Sequence, residues 1–114
     1  MEAFLRKIKY NPKSYLNEAR LRAVAMGYKP TSLTFSNDGT HKLSYLTPEG
    51  RLVSFGLLGY GDYLIWSHLE HMGGVKKGTA RSKRNVFHKS HSKMPGAWKQ
   101  NNYSPNNLAL RILW

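Results

Sequence analysis

A chain of 114 residues and 13.1 kDa has room for one domain, which would bury about two-thirds of its unfolded surface. Hydrophobic residues at 40% and aromatics at 12% exclude wholesale disorder, even with a mean hydropathy of −0.56. The 18 Lys+Arg against 6 Asp+Glu, a net charge of +12, point to a polyanionic partner, and zero cysteines exclude disulfides and thiolate metal sites.

The N-terminal run Met1-Glu-Ala-Phe-Leu-Arg-Lys-Ile-Lys-Tyr10 is too charged for a signal-peptide core. No stretch approaches the ~18–20 apolar residues that span a bilayer. The expectation is a protein that is not secreted and has no membrane partner, placed in a virion or in a host intracellular compartment, nucleus or cytoplasm.

Asn11-Pro12 predicts a helix start, a capping side chain followed by proline at the first helical position. The helix runs over about 12–27, with Tyr15, Leu16, Ala19, Ala23 and Met26 on one stripe and Gly27 as its stop. Short strands follow over about 33–35, 41–46 and 51–55, the first pair joined through Ser36-Asn-Asp-Gly39 and the second through Thr47-Pro-Glu-Gly50. A small antiparallel meander needs a cover, and the N-terminal helix is the candidate. Gly56-Leu-Leu-Gly-Tyr-Gly61 reads as the end of the ladder.

Asp62 is placed to cap a helix over about 62–72, with Leu64, Ile65, His68, Leu69 and Met72 inward and Trp66, Ser67 and Glu70 opposite. A third helix is expected over about 79–92, capped by Thr79, and a final one over about 106–114 after Ser104-Pro105. The final segment is apolar around most of its circumference, leaving Arg111 as its wet side; it belongs in the chain's own core or in a partner. The expected class is α+β, one domain over 1–114 with a helical, basic C-terminal half.

Charge divides the chain unevenly. All six acids lie before residue 71, and the rest holds nine basic residues and no acid. On a helix, Lys77, Arg81, Arg84 and His88 would share a face, and with Lys76, Lys83, Lys89, Lys93 and Lys99 they form the candidate phosphate-binding set. Both arginines, Arg81 and Arg84, are expected on the solvent face. Trp98 and Tyr103 flank a loop from which they either stack on unpaired bases or pack into the core.

The pairs His68/His71 and His88/His91 have the i, i+3 spacing of zinc ligands, but no carboxylate lies beside the second pair. His68 reads instead as a hydrogen-bonded core residue, and neither metal nor cofactor is expected. Gly56-Leu-Leu-Gly59 has leucines where a backbone clamp of RNA-binding domains carries polar residues, and Gly73-Gly-Val-Lys-Lys-Gly-Thr79 lacks the Gly-Lys-Ser/Thr ending of a P-loop. No nucleophile, base or paired-carboxylate arrangement is assembled, so no catalytic residue and no enzyme activity is expected.

The block Phe55-Gly-Leu-Leu-Gly-Tyr-Gly-Asp-Tyr63, the basic run Arg84-Asn-Val-Phe-His-Lys-Ser-His91 and the close Tyr103-Ser-Pro-Asn-Asn-Leu-Ala-Leu-Arg-Ile-Leu-Trp114 together form a pattern. It resembles small basic proteins of large double-stranded DNA viruses of eukaryotes and of virophage-like elements, over residues 41–114. The resemblance implies a viral origin and carries no established activity. The expected function is non-enzymatic nucleic-acid binding through phosphates, with DNA the favoured partner and association with the virion. The alternative is a minor capsid or cement protein held by contacts with capsid proteins.

Overall fold

Asn11 opens the longest N-terminal element in the computed structural model, which describes residues 1–114. Its Oδ1 accepts hydrogen bonds from the amides of Lys13 (2.8 Å) and Ser14 (3.3 Å), and Pro12 takes the first helical position. This helix, α2, spans Pro12–Ala25, and the left-handed Gly27 (φ 86°) turns the chain away from it. A six-residue helix, α1 (Glu2–Lys7), precedes it and was not expected. Only Leu5 of α1 is buried, and one anchor leaves no periodicity to read. Tyr15, Ala19 and Ala23 form the buried stripe of α2, whereas Met26, beyond its last turn, is exposed.

The three strands β1 (Leu33–Phe35), β2 (His41–Leu46) and β3 (Leu52–Leu57) form an antiparallel sheet in the order β1-β2-β3. Leu43 lies opposite both Phe35 and Phe55, and Tyr45 lies opposite Leu33 and Val53. The period of two therefore sends Leu33, Leu43, Tyr45, Val53 and Phe55 to the core. The β2–β3 turn closes as its residues predict, with Thr47 N donating to Arg51 O at 2.8 Å.

The glycine-leucine run does not end the ladder as expected. β3 continues through Gly56 to Leu57, which pairs with His41. Gly56 has φ 73°, and a Cβ built there would lie 2.7 Å from Leu113 Cδ1. Glycine is required both for the backbone bend and for the approach of the C-terminal helix. Gly56→Ala is expected to destabilise the fold by about 1–3 kcal/mol through overpacking and strain, as read by urea denaturation. An unchanged midpoint would show that Leu113 moves aside freely.

Helix α3 spans Tyr63–His71, with Leu64 and Ile65 buried and Met72, at its C-terminal end, exposed. Helix α4 spans Thr79–Ser92. The C-terminal helix starts at Pro105, capped by Ser104 Oγ, which accepts from Asn107 N at 3.2 Å. It is α-helical over Pro105–Leu108, here α5, and continues as a wider π-helical turn over Ala109–Leu113. Leu108, Ile112, Leu113 and Trp114 are buried in the chain's own core, in contact with α2 and β3. The N-terminal helix is thus not the sole cover of the sheet; the C-terminal segment shares that role. Arg111 is half-buried rather than free, its guanidinium 3.1 Å from Asn102 Oδ1. The class is α+β, and one hydrophobic cluster draws on residues from Leu5 to Trp114.

A buried ion pair crosses this core. Asp62 is fully buried and Lys42 is 2% exposed, with Nζ 3.0 Å from Asp62 Oδ2. Tyr15 OH donates to the same oxygen at 2.6 Å, and Ile65 N donates to Oδ1 at 2.9 Å, which makes Asp62 the expected cap of α3. One carboxylate therefore ties α2, β2 and α3 together. Burial, reinforced by the Asp62 charge, holds the Tyr15 phenol well above its ordinary value, so Tyr15 stays protonated and donating.

Candidate nucleic-acid interface

Helix α4 owes its start to α3. Glu70 Oε1 accepts from the amides of Gly78 (2.9 Å) and Ala80 (3.0 Å), two donors that the first helical turn leaves unpaired. The expected cap, Thr79, instead sits inside the helix, and its hydroxyl donates to Lys76 O at 2.5 Å. Nothing local in the sequence announces a cap supplied by another helix.

Ala80 and Phe87 mark the inner side of α4, Ala80 being buried and Phe87 half-buried. At about 100° per residue, Arg81, Lys89 and Lys93 fall on the opposite arc, and all three are exposed. Lys83 is exposed on the flank, its Nζ 4.9 Å from the centre of the Trp66 ring. Lys76 is exposed ahead of the helix. Lys77, expected on the helical ridge, lies in the turn before Thr79 and so does not share the face of Arg81.

Arg84 is exposed, as expected, but it is not free of internal contacts. Its Nε donates to the Trp114 main-chain oxygen at 2.7 Å, and its guanidinium lies 5.2 Å from the centre of the Tyr63 ring. Arg22 of α2 is also over Tyr63, at 5.4 Å, and donates to Ile112 O at 2.6 Å. Two arginines thus clamp the C-terminal segment, and burial together with the nearby Arg84 charge lowers the pKa of Arg22. Arg84→Ala would therefore disturb the fold as well as the charge.

The remaining expected positions are dispersed. His88 is half-buried, and its Nε2 has no hydrogen-bond partner. Lys99 is exposed, with Nζ bonded to Ser92 O at 2.5 Å and near the Trp98 ring. Trp98 is half-buried and donates from Nε1 to Met94 O. Tyr103 stacks on Tyr45 at 5.7 Å and meets Tyr28 edge-on, so it packs with the core rather than offering a face to a base.

His68 is hydrogen-bonded as expected, but it is half-buried at the edge of the core rather than within it. Its Nε2 is 2.8 Å from Ile8 O, and its ring stacks on Tyr10 at 4.2 Å. No group of three or more His, Cys, Asp or Glu side chains converges as metal ligands. No helix is long and apolar enough to cross a membrane.

A cleft of about 500 Å³ opens on the inner side of α4, between β3 and the C-terminal helix. Phe87, His91, Trp114, Phe55 and Tyr60 line it with aromatic surface. The i, i+4 spacing of Phe87 and His91 is the one sequence signal of this site; the strand and the C-terminal wall are distant in sequence. Compared with known protein families, with curated proteins and with solved structures, the chain matches none, and its site is read from its own geometry.

Proposed function

We propose that this chain is a non-enzymatic protein that binds nucleic acid through phosphates along the outer arc of α4. The observation that carries the reading is the arc itself: Arg81 and Lys89 are exposed on one side of a 14-residue helix, with Lys93 exposed at its C-cap, in a C-terminal region without a single acid. Lys76, Lys77 and Lys83 add charge at its N-terminal end and flank. Cations so placed displace condensed counterions from a phosphate backbone, which gives affinity without a base code.

Four of the six acids are held by structural partners. Glu2 pairs with Arg6, Asp38 holds the β1–β2 turn, Asp62 is buried and Glu70 caps α4. Asp38 accepts the Thr40 and His41 amides and the His41 ring, contacts that hold its carboxyl well below the usual range. The resemblance to proteins of DNA viruses makes duplex DNA the partner we favour, with the protein packaged beside a genome.

Changing Arg81 and Lys89 together to Ala tests the arc. The plot of log affinity for duplex DNA against log salt should become shallower by about 1.8, at −0.9 per phosphate, and all sequences should weaken alike. Melting temperature should not move, because both side chains are exposed and neither makes an internal hydrogen bond. A double variant with the native slope would remove α4 as the contact surface.

A further inference from the structure

We propose that the cleft behind α4 receives an unpaired nucleobase from the strand whose phosphates the helix holds, an inference that rests on the phosphate-binding reading above. Phe87 stacks on His91 with ring centres 3.7 Å apart and on Trp114 with centres 4.3 Å apart, at interplanar angles of 21° and 8°. Two rings so close to a third cannot share one of its faces, so the three form a column, and all three line the cleft. A volume of about 500 Å³ admits a base with part of its sugar.

The polar groups are those that a heterocycle needs and an alkyl chain does not. His91 Nδ1 is buried against the Phe87 main chain of its own helix, so the polar groups open to the space are the rest of the His91 ring edge together with His41 and Asn106, which also line it. Burial lowers the His91 pKa below the ordinary imidazole value, with the neighbouring His88 acting in the same direction, so the ring favours its neutral form. A neutral imidazole offers one donor and one acceptor, matching the edge of a base.

The position relative to the charge completes the case. Met94 lines the cleft and directly follows Lys93 of the cationic arc, so the ridge ends where the cleft begins. The same helix thus turns charge outward to phosphates and aromatic rings inward. Phe87 is covered on both faces, so the rings left for a base are the outer face of His91 and the exposed Tyr60, and bases stack on such surfaces with little regard to sequence. Of the two readings of Trp98 and Tyr103, core packing holds for Tyr103, and the stacking surface is assigned to the cleft.

The test compares a single-stranded oligothymidylate with an abasic strand of equal length and phosphate count, across the same series of salt concentrations. The native chain should bind the base-bearing strand about tenfold more tightly, the scale of one stacked base. Tyr60→Ala removes an exposed wall of the cleft, and Met94→Trp fills it from an exposed position; each should reduce that ratio to below about twofold while leaving the salt slope native. Equal binding of the two strands with a steep salt slope would overturn the cleft alone, as would both variants keeping the tenfold ratio. Failure of the native chain to bind either strand while it binds duplex DNA would overturn the cleft alone, and failure to bind duplex DNA as well would overturn the phosphate reading with it.

Discussion

Replacing Asp62 with Ala is expected to lower stability by about 3–5 kcal/mol, enough to unfold much of a domain whose whole stability is on the order of 5–15 kcal/mol. The loss has one dominant cause. Lys42 Nζ, 3.0 Å from the carboxylate and almost fully buried, is left as an unpaired charge with no other side-chain acceptor. Tyr15 OH loses its acceptor at 2.6 Å, and α3 loses its cap at Ile65 N. The double change Lys42→Met with Asp62→Asn should recover most of the deficit, because the orphan charge is gone, the amide oxygen in the place of Oδ1 still accepts from Ile65 N, and the amide nitrogen in the place of Oδ2 donates to the Tyr15 hydroxyl, which accepts instead of donating. Urea denaturation of the three proteins checks this. An Asp62→Ala protein within about 1 kcal/mol of native would show that water reaches Lys42 and that the pair contributes little.

Deleting Leu108–Trp114 should leave the chain largely unfolded. Leu108, Ile112, Leu113 and Trp114 are buried, and at about 1.5–3 kcal/mol each their removal withdraws on the order of 6–12 kcal/mol. Arg22 and Arg84 also lose the main-chain oxygens of Ile112 and Trp114. Circular dichroism and amide dispersion should both report the collapse. A truncated chain that stays folded but loses self-association would move this segment from the core to an interface between molecules.

The features legible in the sequence are those whose physics is local. Asn11-Pro12, Asp62 and Ser104-Pro105 each place a capping oxygen within three residues of the amide it satisfies, so the helix starts were predictable from spacing alone. The alternation in β2 and β3 likewise places Leu43, Tyr45, Val53 and Phe55 inward, whatever lies across the sheet.

What was not legible depends on partners far along the chain. Lys42 occupies a position that alternation assigns to the wet face, and only the arrival of Asp62, twenty residues later, makes its burial possible. Arg84 sits about 60° round α4 from Phe87, close enough to the inner side for the Trp114 main-chain oxygen and the Tyr63 ring to engage its guanidinium although the residue stays exposed. Gly56 looks like a strand terminator until Leu113 is packed against it. The basic character of α4 was therefore readable, but which of its cations remain free was not. The aromatic cleft depends on three segments meeting, of which only Phe87 and His91 share a readable spacing.

The central claim is that exposed cations of α4 hold phosphates, and salt dependence tests it most directly. Affinity of the native chain for duplex DNA, measured from low to physiological salt, should fall log-linearly. With four to six phosphates neutralised by Lys76, Lys77, Arg81, Lys83, Lys89 and Lys93, the slope should be about −3.6 to −5.4. A slope indistinguishable from zero would contradict the account and leave protein–protein contact as the use of this basic face.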